Sequence, residues 1–165
     1  MTETRAVTLS PETEDSQRYA VVAETRRWIR TPYHHRGNVL GAGVDCGMLL
    51  VRAFVDSGMV EPFDPGEYPT DFMMHNDEQQ YLGFVSRLCG RVDTPRLGDI
   101  AVFIFGKVYS HGGVITGLDP IMLTHAYAQA GRVVEEDLYR NTDLTKPHRK
   151  MIFYSFWAEN SKAAS

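Results

Sequence analysis

The segment Gly41-Ala42-Gly43-Val44-Asp45-Cys46 runs straight into Gly47-Met48-Leu49-Leu50-Val51-Arg52-Ala53-Phe54-Val55. Glycines loosen the chain before Asp45, and the apolar run after it is long enough for about three helical turns. Asp45 is a strong N-cap residue, so the pattern predicts a buried helix over 46–56 with Ser57-Gly58 as its stop. Cys46 then sits in the first turn. There a thiol gains most, because unpaired backbone N–H groups and the positive end of the helix dipole favour the thiolate. A lone cysteine opening an apolar helix is nonetheless more often core than reactive. Cys46 reads as a nucleophile only if the rest of the chain supplies its partners.

A chain of 165 residues, 43% hydrophobic and 23% charged, is most simply one globular domain able to bury ~70% of its unfolded surface. A net charge of −4 gives no general attraction to nucleic acid or anionic membrane, and neither is expected as a partner. No apolar stretch approaches the ~20 residues of a membrane span. Met1-Thr2-Glu3-Thr4-Arg5 lacks the basic region and apolar core of a secretory signal, so synthesis in the cytoplasm is expected, with another route to any external target. The two cysteines, Cys46 and Cys89, fit no zinc spacing and are too few for a disulfide framework. A bond between them stays open. Cys89 by itself reads as a buried thiol.

Before the central helix, 1–15 reads as a polar arm and 16–30 as an amphipathic helix ended by Thr31-Pro32. Tyr33-His34-His35-Arg36-Gly37-Asn38 reads as a loop carrying polar groups towards Cys46. After it, the prolines and glycine of 59–75 mark an irregular connection, and 77–88 reads as a helix closed by Gly90. Five strands follow, over 100–105, 109–116, 121–127, 132–138 and 151–156, with turns at Gly117–Pro120 and at Gly131. The segment 139–150 is loop and 158–165 a tail. Helices followed by an antiparallel sheet make the α+β class, with a single domain over 16–157.

A cysteine nucleophile needs a base within hydrogen-bond reach and a third group to hold that base. Of six histidines, His111 and His125 lie in neighbouring predicted strands on either side of one turn. With an odd-numbered loop they stand opposite each other on one face. With a two-residue loop they fall on opposite faces, unless a bulge intervenes. Packing the helix start against their shared face gives a line of Cys46 as nucleophile, His111 as base and His125 as orienter. The Cys46 backbone N–H is a natural oxyanion donor, and Tyr33 can supply a second contact. A zinc site of Cys46, His111, His125 and Asp45 lacks the usual ligand spacing, and no metal or other cofactor is expected. Asp45 can equally be only a cap, and His125 only a core histidine.

These residues also resemble a known family. Asp45-Cys46-Gly47-Met48-Leu49-Leu50 resembles the Asp-Cys-Ser-Gly-Leu motif of the NlpC-like cell-wall cysteine peptidases, a papain-like group. Thr31-Pro32-Tyr33, Leu97-Gly98-Asp99-Ile100, Ser110-His111-Gly112-Gly113-Val114 and Thr124-His125-Ala126 resemble further family segments in the same order, and the resemblance spans 18–138. It implies a papain-like α+β fold and cleavage of peptidoglycan stem peptides, typically between D-glutamate and a diamino acid. It gives Cys46, His111 and His125 the catalytic roles and puts Tyr33 and Asp45 on the substrate side. Gly47 stands where the family has a substrate-holding serine, so the bond cleaved stays open. Tyr68-Pro69-Thr70-Asp71-Phe72, His75 and Glu78-Gln79-Gln80-Tyr81-Leu82 resemble an insertion of phage and prophage tail members. That implies a virion-borne enzyme with tail proteins as partners. A thiol amidase or acyltransferase on another acyl group, and a tail module without turnover, are the competing readings.

Overall fold

The computed structural model describes residues 13–62, 85, 87–105 and 108–158. Helix α1 is Glu14–Arg26 and helix α2 is Cys46–Asp56. Between them lies a two-stranded ladder of β1 (Asn38–Val39) and β2 (Gly43–Val44). The main sheet is built from β3 (Gly90–Val92), β4 (Ile100–Phe105), β5 (Val108–Leu118), β6 (Ile121–Tyr127), β7 (Arg132–Asp137) and β8 (Met151–Ser155). Their spatial order is β3-β8-β4-β5-β6-β7, and every neighbouring pair is antiparallel. This is the expected α+β architecture.

Among the described residues the sheet has six strands where five were expected. The additional one, β3, holds only three residues and pairs with β8, Gly90 facing Ser155 and Val92 facing Phe153. So short an edge strand is defined by its partner, not by local propensity. Helix α1 also stops earlier than residue 30. Arg30 adopts a left-handed φ of 76° and donates its N–H to the Val133 carbonyl, while Thr31 accepts from the Val133 N–H. Pairing with β7 replaces the last helical turn. Of the expected helix over 77–88, only Val85, Arg87 and Leu88 are described, and all three are helical. The rest of that helix, most of the connection over 59–75, residues 1–12 of the arm, nearly all of the tail and the segment 68–82 lie outside the described residues.

Alternation along the strands divides the core between two sheet faces. Ile100, Val102, Val114 and Tyr154 pack under Val21 of α1 and Leu50, Ala53 and Phe54 of α2. Ala126 and Val133 join this side through Trp28, Val44, Cys46 and Leu49. Ala101, Phe103, Ile115, Leu123 and Tyr127 face the other way and are covered by Leu138 and Leu144. Full burial of each such leucine stabilises the fold by about 1.5–3 kcal/mol relative to exposure. Arg18 of α1 is 5% exposed. Its guanidinium donates to Asp99 Oδ1 and to the Leu97 carbonyl, both at 2.8 Å, and lies 4.1 Å over the Trp157 ring. Among the described residues no helix is long and apolar enough to cross a membrane.

Candidate active site

Asp45 fixes the start of α2. Its extended backbone turns the chain into the helix, and Oδ1 accepts from the Met48 N–H at 2.9 Å. Its other oxygen accepts from the Arg36 N–H at 2.7 Å, so one buried carboxylate ties the preceding loop to the helix N-terminus. His35 Nδ1 lies 3.9 Å from that second oxygen. The geometry of Asp45 is that of a cap and a tether.

Cys46 follows in the first helical turn and is almost wholly buried. Burial pushes its thiol up to about 12, and the Asp45 charge adds to the effect. The backbone N–H groups of Gly47, Gly112 and Cys46 itself act the other way. The helix start therefore favours the anion, as the sequence suggested, but desolvation outweighs it. Taken alone, Cys46 is a thiol at neutral pH, and the low thiol pKa anticipated from the helix dipole is absent. Cys89 is likewise buried and raised by burial, and neither cysteine forms a disulfide.

Tyr33 is anchored through its backbone. Its N–H donates to the Gly131 carbonyl at 2.8 Å, and it bridges Val44 next to the helix start. Burial, then the charges of Cys46 and Asp45, hold its hydroxyl above its usual value, so it remains a donor at neutral pH.

His111 and His125 come together on one sheet face by the bulged route, not through an odd-numbered loop. The turn at 119–120 has two residues, with Leu118 facing Ile121 and Gly117 facing Met122. A bulge at Thr116 then shifts the register, so that Ile115 faces Leu123 and Val114 faces Thr124. Continued, this register sets Gly113 across from His125 and His111 two residues further along the same face. The histidines are diagonal neighbours, not directly opposed. His111 Nε2 lies 2.7 Å from His125 Nδ1, with the rings edge-on at 67°. Tyr127 stacks on His125 at 4.7 Å, and Phe103 lies 5.8 Å from His111. Burial, then His125, then the Arg149 charge hold His111 well below its usual 6.5, so it rests neutral.

The approach of Cys46 also differs from the expected packing. The histidines share the face of Phe103, Leu123 and Tyr127, whereas α2 packs on the face of Val114 and Ala126. The β5–β6 ladder ends at Val114 and Thr124, before either histidine. Cys46 meets the sheet at this open end, where the Gly112 N–H, one residue from His111, acts on its sulfur.

Glu136 is the polar partner that the sequence reading missed. Its Oε1 lies 2.7 Å from His125 Nε2 and accepts from Asn141 Nδ2 at 2.8 Å. Leu123 faces Glu136 and His125 faces Val134 across β6 and β7, which makes Glu136 the diagonal neighbour of His125. The signal was an acidic residue two positions from an apolar one in a strand next to the histidine strand, legible only once the β6–β7 register is known. Among the described residues no three His, Cys, Asp or Glu side chains converge as metal ligands.

No family model matches the sequence, and no curated protein matches it. Solved structures do resemble its fold. NlpC1 from Trichomonas vaginalis superposes with a TM-score of 0.59 at 15% identity, covering 93% of this chain and 48% of that one. NlpC2 from the same organism gives 0.59 at 13% identity, with coverage of 87% and 47%. The NlpC/p60 domain of the peptidoglycan hydrolase SagA gives 0.52 at 17% identity, with coverage of 82% and 96%. The chain spans about half the length of the two Trichomonas proteins and nearly all of the SagA domain. Its fold is therefore the papain-like α+β fold of NlpC/p60 domains.

Proposed function

We propose that the chain is a cysteine peptidase that hydrolyses peptide bonds in peptidoglycan stem peptides, of the D-glutamyl–diamino acid type. Cys46 is the nucleophile, His111 the general base and acid, and His125 the group that orients His111. The observation that carries the reading is the 2.7 Å His111–His125 bond beside the strand whose Gly112 N–H acts on the Cys46 sulfur. It is supported by the likeness to NlpC/p60 domains, one of which belongs to a peptidoglycan hydrolase.

The thiol and imidazole are each reluctant to charge against solvent. They charge together: the proton passes from Cys46 to His111 at the open end of the β5–β6 ladder as sulfur attacks the peptide carbonyl. The Cys46 N–H and the Tyr33 hydroxyl stabilise the resulting oxyanion. His111 returns the proton to the leaving amine, and a thioester remains on Cys46. Water, losing its proton to His111, then releases the acid and restores the thiol. Asp45 contributes by holding the helix start and the Tyr33–Arg36 loop in place.

Mass analysis of purified muropeptides tests the assignment. A new diamino-acid amine and a D-glutamyl carboxylate are expected with the wild type and not with Cys46→Ala. Cleavage of a simple ester or amide with every stem-peptide bond intact would instead favour another acyl substrate. Association with a phage-type tail is the last part of the proposal and is supported only by the resemblance of 68–82. Recovery of the protein with sedimented virions tests it.

A further inference from the structure

We propose that Glu136 is the positioning residue that fixes the proton order of the His125–His111 pair, so that His111 holds its Nδ1 unprotonated for the thiol. This rests on the catalytic reading of His111 but makes a separate claim about the resting protein. A carboxylate oxygen can only accept. At 2.7 Å from Glu136 Oε1, His125 Nε2 must therefore carry the proton. With that as its single ring proton, His125 has a bare Nδ1, which accepts from His111 Nε2–H at 2.7 Å. Neutral His111 in turn has its lone pair on Nδ1. The hydrogen bond made by one ring nitrogen decides the state of the other, and here the rule applies twice in series.

Asn141 makes the starting point unambiguous. Its Oδ1 accepts from the N–H groups of Asp143 and Leu144, at 3.1 and 3.0 Å. Its Nδ2 is thereby left to donate to Glu136 Oε1 at 2.8 Å. The bond from His125 also holds the Glu136 carboxyl below its ordinary value. Without an acceptor at Glu136 the order can reverse, with His125 Nδ1–H donating to His111 Nε2. His111 would then present a protonated Nδ1 to Cys46 and could not act as its base.

The other groups around the pair do not supply this bias. Tyr127 stacks on His125 but gives its hydroxyl proton to Asp143 at 2.9 Å. Asp143 also accepts from Lys146 and Arg149. The Arg149 charge opposes protonation of His111. On the α2 side, Asp45 accepts from the Met48 and Arg36 N–H groups, and Tyr33 and Cys46 stay protonated at neutral pH. Among the described residues, Glu136 is the anion hydrogen-bonded to the histidine line.

The test compares Glu136→Leu and Glu136→Gln with the wild-type chain. In Glu136→Gln, Asn141 Nδ2 keeps the amide oxygen towards His125, so the proton order survives while the charge is lost. The tautomers are read by 15N NMR of histidine-labelled protein without substrate, with His111→Gln assigning the signals. We expect a bare Nδ1 and a protonated Nε2 on His111 in the wild type and in Glu136→Gln, and mixed tautomers in Glu136→Leu. Stem-peptide turnover by Glu136→Leu should fall about 10²-fold or more, mainly in kcat, as when the third member of a triad no longer sets the tautomer. Glu136→Gln should keep most of kcat, with its alkaline pH limb displaced to lower pH. A His111 tautomer unchanged by Glu136→Leu, or turnover within about threefold of wild type, overturns the inference. If the tautomer responds but the wild type cuts no stem peptide, the catalytic reading fails and the proton-order claim stands.

Discussion

Gly113→Ala adds one methyl group where β5 passes close to His125. A Cβ at Gly113 would lie 2.8 Å from His125 Cβ, 2.8 Å from Leu123 Cδ1 and 2.8 Å from the Thr124 carbonyl oxygen. Comfortable carbon–carbon contact begins near ~3.5 Å, so about 0.7 Å must be found on three sides. The Leu123 tip is the end of a flexible side chain and can turn aside, but the Thr124 carbonyl and the His125 Cβ are fixed to the β6 backbone, so β6 must shift there and carry the His125 ring with it. Overpacking of this kind costs about 1–3 kcal/mol. The larger effect is on the 2.7 Å His111–His125 bond. A displacement near 1 Å in such a line can cost about 10²-fold in rate. Urea unfolding followed by fluorescence measures the first effect, and kcat/KM on a defined muropeptide the second. We expect the midpoint to fall with m unchanged, and activity to fall further than stability explains. A variant as stable and as active as the wild type would refute the close approach. Lost stability with full activity would refute the coupling through His125.

His111→Ala removes the acceptor on which the thiol depends. A thiol near 12 holds about one part in 10⁵ of thiolate at pH 7, so Cys46 labelling by iodoacetamide should fall at least ~10²-fold. In the wild type, Cys46 should label faster than Cys89, and equal rates would count against an activated nucleophile. Asp45→Ala removes the cap of α2, which costs about 1 kcal/mol and lowers Tm by roughly 2–4 °C. It also removes a charge that raises the Cys46 thiol, so the labelling profile should move to lower pH. Because the fold keeps His111 neutral while the unfolded chain takes up a proton near pH 6.5, the unfolded state binds more protons below that pH. Stability should be full above about pH 6.5 and fall as the pH drops below it. Glu135 and Glu136, held below their usual 4.5, add a further loss on the acid side of that value. Thermal scans between about pH 7 and 5 should show a smaller decline in His111→Gln, and a flat wild-type Tm over that range would contradict the buried neutral histidine.

The parts of the fold that were legible in the sequence are local. Asp45 and the apolar run after it define α2 without help from the rest of the chain, and its observed bounds are those read from the pattern. Strand β6 was equally plain. The shared face of His111 and His125 was legible only conditionally, because it depends on the bulge at Thr116. That bulge is held from far away: Arg26 of α1 donates to the Thr116 carbonyl at 2.9 Å, and Thr116 Oγ1 donates to Glu135 at 2.7 Å. Neither partner is visible to strand periodicity. The burial of Arg18 is invisible for the same reason, since it requires Asp99 and Trp157 from distant elements. Glu136 needed the register of two strands. The thiol needed the balance between a helix start and desolvation, and only packing decides that.

The most direct test is to trap the thioester. Wild-type protein mixed with excess muropeptide, quenched in acid within one turnover and digested, should yield a Cys46-containing peptide heavier by the acyl part of the substrate. His111→Ala and Cys46→Ala should yield none. Hydrolysis that proceeds with no adduct on Cys46, or that survives Cys46→Ala, would contradict the assignment of Cys46 as the nucleophile.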